Sequence, residues 1–90
     1  MKTIFETGQF RKDLKKLKKR GKDILKLKAV VRQIASGATL DERHRDHALT
    51  GSLRGSRDCH VEPDWLLIYR KDKDSLFLER SGTHSDLFQK

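Results

Sequence analysis

Apolar residues along this chain change their spacing several times, and each change marks a new element. "KTIF" at residues 2–5 alternates polar and apolar positions, which predicts a short strand ahead of Gly8. Phe10, Leu14 and Leu17 then fall at offsets 0, 4 and 7, one stripe of an amphipathic helix, and Gly21 suits its left-handed end. Leu27, Val30, Val31 and Ile34 give offsets 0, 3, 4 and 7, and Ile24 extends the same face. They predict a second helix from about Asp23 to Ser36, capped by Asp23 and ended by Gly37. Two helices joined this tightly predict an antiparallel hairpin.

Residues 37–56, "GATLDERHRDHALTGSLRGS", hold no sustained period, and only Leu40, Leu49 and Leu53 anchor them. They predict one long connection, and connections of that length in a compact domain are usually functional or mobile. A period of two returns at Arg57–Glu62, setting Arg57, Cys59 and Val61 on one strand face and Asp58, His60 and Glu62 on the other. Pro63-Asp64 is turn chemistry. Trp65–Arg70 is a nearly continuous apolar strand, as expected of a central position covered on both faces. "KDKD" makes the next turn, "SLFLERSG" the next strand, and "THSDLF" a short helical turn capped by its threonine.

The order β-α-α-loop-β-β-β-α predicts a meander of three strands, with the first strand joining its edge and the helical hairpin covering one face. The expected fold class is α+β: a small antiparallel sheet packed by an N-terminal antiparallel helical hairpin, with a short C-terminal helix. It forms one domain over residues 1–90. The second sheet face, partly open beside the long connection, is a natural concave binding surface.

Composition sharpens this picture. At 34% hydrophobic and 38% charged residues the chain could be disordered, but its apolar residues cluster with clear periods, which favours folding. A 90-residue chain buries only roughly 60–65% of its unfolded surface, so its core is thin. One cysteine, Cys59, excludes an internal disulfide framework and fits a reducing compartment. No apolar run approaches the ~20 residues needed to span a bilayer, and the N-terminus lacks a signal-peptide core. A cytoplasmic protein with no membrane partner is expected.

Charge is unevenly spread. Residues 1–57 carry 16 Lys/Arg against 6 Asp/Glu, whereas residues 58–90 carry 5 against 7. Ten basic residues lie between Arg11 and Lys28, Lys15, Lys16 and Lys19 among them, and such a stripe attracts phosphate backbones without sequence preference. The alternative is a merely solvated helix face.

Four histidines remain: His44, His47, His60 and His84. His44 and His47 are three apart but in a loop, no pair sits at i, i+3 or i+4 on a predicted helix, and no CxxC is present, so no metal site and no cofactor are expected. Acid–base work fits better. The segments around His47, His60–Asp64 and His84 lie near strand ends that neighbouring strands can bring together, and imidazoles exchange protons near neutral pH. In a basic groove they point to phosphodiester cleavage, needing no metal where RNA supplies its own 2′-hydroxyl. Phe88 could stack on a base or plug the short helix against the sheet.

"DHALTGSLRGSRDCHVEPDWLLIYR" followed by "ERSGTHSDLF" closely resembles the YafQ-like branch of the RelE/ParE toxin superfamily, through the patterns DHxLxGxxxGxRDxHxxPDWxLIY and GTHxxLF. The resemblance covers nearly the whole chain. It implies a toxin of a type II toxin–antitoxin pair that cleaves messenger RNA on the ribosome, and a small antiparallel sheet packed by a helical hairpin. It carries active-site positions onto His47, His60, Asp64, His84 and Phe88, with Arg57 as a phosphate contact, and sets His44 aside. Within that set, His84 is expected as general acid, His60 with Asp64 as the base side, and His47 on phosphate or as an assisting base. An acidic, partly disordered antitoxin is the implied partner, beside ribosome and messenger RNA, and the pair could bind operator DNA.

Two competing classes stand against this one. A ParE-like relative would poison DNA gyrase by binding it, on the same fold, and would have no need of the His/Asp set. A plain nucleic-acid-binding module would use its lysines alone.

Overall fold

A computed structural model describes residues 1–88 and runs β1 (Thr3–Glu6), α1 (Gly8–Lys19), α2 (Ile24–Ala35), β2 (His47–Ala48), β3 (Arg57–Glu62), β4 (Trp65–Lys71), β5 (Ser75–Gly82) and α3 (His84–Phe88). Both long helices start and stop where their local chemistry directs. Thr7 Oγ1 accepts the Phe10 N–H at 3.0 Å and Asp23 Oδ1 accepts the Leu25 N–H at 3.1 Å, each satisfying a donor that the first turn leaves free. Gly21 at φ 81° and Gly37 at φ 83° take the left-handed conformation that closes each helix and returns N–H groups to its last carbonyls.

The five strands form one sheet in the order β1-β5-β4-β3-β2. β2 to β5 pair antiparallel, as the hairpin turns require, while β1 lies parallel to β5 with Thr3 opposite Ser75. The helical hairpin covers one face. Phe10 and Leu17 of α1 and Leu27, Val30 and Ile34 of α2 pack on Cys59, Trp65, Leu67, Tyr69, Leu76 and Leu78. The central position expected for Trp65–Arg70 is confirmed, since Leu66 and Ile68 on the opposite face are also buried. Burial pushes the Cys59 thiol up to about 12, so it is a core residue and not a nucleophile. No described helix is long and apolar enough to cross a membrane.

Two expectations need correction. Residues 37–56 are not one irregular connection. Short 3-10 turns form at Glu42–His44 and Gly51–Leu53, and β2 adds a strand at the sheet edge. Two residues are too few to leave a periodic trace. Glu62 does not share a face with Asp58 and His60. The β3–β4 register shifts between His60 and Glu62, a bulge that puts Glu62 opposite Trp65 and turns it to the helices. There Lys26 Nζ lies 2.9 Å and Lys22 Nζ 3.5 Å from its carboxylate.

Candidate active site

The sheet face away from the helical hairpin gathers residues from four separated segments. His60 on β3 lies opposite Leu66 on β4, Gly82 on β5 flanks Leu66 from the other side, and α3 begins at His84 just beyond. The His60 and His84 rings meet edge to face with centroids 5.6 Å apart. Asp64, in the β3–β4 turn, reaches α3. Its Oδ1 accepts the His84 backbone N–H at 3.0 Å and lies 2.6 Å from His84 Nδ1. A carboxylate accepts, so Nδ1 carries the proton and exchange with a substrate falls to Nε2. The hydrogen bonds from His84 in turn hold the Asp64 carboxyl below its ordinary value. The expected partnership of Asp64 with His60 is therefore replaced by one with His84. The turn carries Asp64 past the strand end to the first residue of α3, whereas His60 lies back within the strand.

His47 enters from β2, which sets it opposite Asp58. Its Nδ1 lies 2.7 Å from the Arg45 carbonyl oxygen, an acceptor only, so that nitrogen also bears hydrogen. Its Nε2 lies 3.1 Å from Asp58 Oδ1. The alignment does not make a hydrogen bond, and Asp58 Oδ1 has none among the described residues, so their attraction is electrostatic. Burial raises the Asp58 carboxyl above its usual value, and the charges of His47, His60 and His84 oppose that rise.

Asp58 is the residue that sequence reasoning missed. Alternation had placed it on the face of His60, but nothing in a lone strand carboxylate shows that it is only 5% exposed. His44, set aside in the sequence, is buried too, with Nδ1 at 2.6 Å from the His60 carbonyl oxygen.

α3 is held in place from α1. Thr83 and Asp86 cap each other, N–H to carboxylate at 3.0 Å and N–H to hydroxyl at 3.1 Å. Arg20 grips the same carboxylate with two nitrogens at 2.6 and 3.0 Å. Lys16 stands 3.8 Å from it, and Lys15 and Lys19 lie exposed on the same helix. Phe88 is half-buried at the last turn of α3. Arg57 is out of step with Asp58 and His60. It pairs with Tyr69 across the ladder, its Nε donates to Asp46 at 3.3 Å, and about a third of its side chain stays exposed. The fold thus brings together His47, His60, Asp64 and His84, with Asp58 among them, and leaves Arg57 and the lysines around the rim. Among the described residues no group of three or more His, Cys, Asp or Glu side chains is placed to hold a metal ion.

Residues 2–89 match the model of a family described as the bacterial toxin of type II toxin–antitoxin systems, YafQ. The chain belongs to the YafQ family. The mRNA interferase toxin YafQ of Escherichia coli strain K12 is 46% identical to it over 83 residues, 91% of this chain and 90% of that protein. The crystal structure of YafQ from E. coli strain BL21(DE3) superposes with a TM-score of 0.92 at 43% identity, covering 98% of this chain and 99% of that one. YafQ in the E. coli DinJ–YafQ toxin–antitoxin complex gives a TM-score of 0.90 at 44% identity, covering 97% of each chain. The expected YafQ family and α+β class are both borne out.

Proposed function

We propose that this chain is a messenger-RNA endoribonuclease that acts on the translating ribosome and cleaves without a metal, using the RNA 2′-hydroxyl as nucleophile. The observation that carries this reading is the pair of imidazoles 5.6 Å apart, one of them oriented by a carboxylate at 2.6 Å, in a chain 46% identical to an mRNA interferase toxin. Two rings so placed can flank one phosphodiester. His60 removes the 2′-hydroxyl proton as the 2′-oxygen attacks phosphorus. The bond from phosphorus to the 5′-oxygen breaks, and His84 Nε2 protonates that oxygen, leaving a 2′,3′-cyclic phosphate and a 5′-hydroxyl end. Each proton transfer is worth about 10²–10⁴-fold in rate.

Asp64 holds His84 in the tautomer that presents Nε2. His47, with Nε2 at 3.1 Å from Asp58, contacts the phosphoryl oxygens. Phe88 stacks on a base beside the cleaved bond. Lys15, Lys16 and Lys19 bind phosphates of ribosomal RNA, and Arg57 adds a phosphate contact at the rim. The ribosome supplies positioning that so small a domain lacks.

The partner that silences it is an antitoxin whose acidic segments complement the net charge of +8, and the joint complex is a candidate operator-DNA binder. All of this takes place in the cytoplasm.

Primer extension on a reporter messenger RNA, translated in a reconstituted system with and without the purified protein, tests the function. Defined breaks that vanish when ribosomes are omitted are the expected result. Intact RNA together with stalled DNA gyrase would replace this reading with the ParE-like one.

A further inference from the structure

His44 ends the 3-10 turn Glu42–His44 and is buried, at 7% exposed. Its ring borders a cleft on the helix side, lined also by Val30, Gln33, Val61 and Glu62. Its Nδ1 lies 2.6 Å from the His60 carbonyl oxygen, and because a carbonyl only accepts, that nitrogen is the donor. The bond falls at the residue after which the β3–β4 register shifts. A bulge interrupts the ladder locally, so the strand is least constrained by its neighbour where His60 must be aimed.

The next residue continues the device. Arg45 has φ 48°, the left-handed region that a non-glycine residue adopts only under strain. That turn directs the chain into β2, and the Arg45 carbonyl receives the Nδ1 proton of His47. Residues 44–47 therefore form a short strut between two members of the histidine cluster.

We propose that His44 is a positioning residue for RNA cleavage. Its buried Nδ1–H fixes the backbone of His60 at the bulge and, through Arg45, the ring of His47. This inference rests on the proposed roles of those two residues.

Side-chain length separates a hydrogen-bonding role from a packing one. Asparagine can place an amide N–H where His44 Nδ1 stands, glutamine cannot, and leucine fills space without donating. On messenger-RNA-programmed ribosomes, folded H44L and H44Q are expected to lose about ten- to a hundredfold in kcat with KM little changed, because a small misplacement of a reacting group costs that much. H44N is expected to recover most of the rate. The NMR signals of the His60 ring should move in H44L and H44Q and return in H44N. Where H44L fails to fold, the contrast between H44N and H44Q carries the test. Equal rates in H44N and H44Q, or a wild-type rate in folded H44L, overturn this inference alone. A wild-type rate in H60Q, run alongside, overturns the role of His60 and the inference with it.

Discussion

His84 and Asp64 are 20 residues apart in sequence, yet one carboxylate oxygen of Asp64 takes both the backbone N–H and the ring Nδ1 of His84, at 3.0 and 2.6 Å. The contact fixes where the ring points and which nitrogen is left for chemistry. Asp64 itself is largely solvent-exposed, with 70% of its side chain accessible, so the bond matters for orientation more than for stability. Asp64→Asn should leave thermal unfolding almost unchanged. It should slow cleavage about ten- to a hundredfold, less than the roughly 10²–10⁴-fold expected on losing the acid itself. Single-turnover cleavage on programmed ribosomes measures this, and an unchanged rate would remove Asp64 from the mechanism.

Asp58 pays in stability for its place beside three histidines. Burial raises its carboxyl value in the folded state, so the associated stability is present at low pH and is lost as pH rises through the folded value. Asp58→Asn removes that loss, and its amide can donate to His47 Nε2. At pH 7 the variant should be more stable by about 0.5–2 kcal/mol, the scale typical of relieving a functional site, while cleaving more slowly. The gap over wild type should narrow as pH falls. Urea unfolding from pH 7 down to pH 4 checks it, and a variant less stable than wild type at pH 7 would contradict it.

Gly82 leaves room for α3. A Cβ there would stand 2.9 Å from Asp86 Cβ and 3.0 Å from its Oδ2, and Arg20 prevents that side chain from yielding. Gly82→Ala should cost about 1–3 kcal/mol, as overpacking does, and should shift the helix that begins with His84. Loss of cleavage beyond that seen in an equally destabilised core variant is expected. Wild-type stability and rate in G82A would show that α3 is not so constrained.

Acid should loosen the same clamp. The hydrogen bond from Arg20 holds the Asp86 carboxyl well below its ordinary value of 3.8, against some opposition from burial. Burial opposes the lowering of Asp13 too, but hydrogen bonds from Arg80, Gln9 and Ser81 prevail. A carboxyl lowered by folding contributes stability that is present above 3.8 and is lost as pH falls through the folded value. Unfolding free energy should therefore drop below about pH 4 in wild type and drop less steeply in Asp86→Asn. Identical acid slopes would mean that Asp86 adds nothing.

Much of this was legible in the sequence because burial imposes periods. Phe10, Leu14 and Leu17 announced α1, and the apolar run from Trp65 announced the central strand. The family blocks pointed to His47, His60, Asp64 and His84, which the fold gathers at one end of the sheet. What stayed hidden depends on register. A bulge after His60 reversed the face of Glu62, and a two-residue strand left no pattern. The partner of Asp64 depended on where a turn ends, and the burial of Asp58 and His44 depended on what packs over them. None of these has a local signature.

The proposed reaction depends most directly on the RNA 2′-hydroxyl as nucleophile. The decisive measurement is cleavage on programmed ribosomes of two messenger RNAs that differ only by a 2′-O-methyl group at the nucleotide 5′ to the break. The unmodified message should be cut to a 2′,3′-cyclic phosphate and a 5′-hydroxyl end, and the methylated one should survive. Cleavage of both at the same rate would contradict the mechanism.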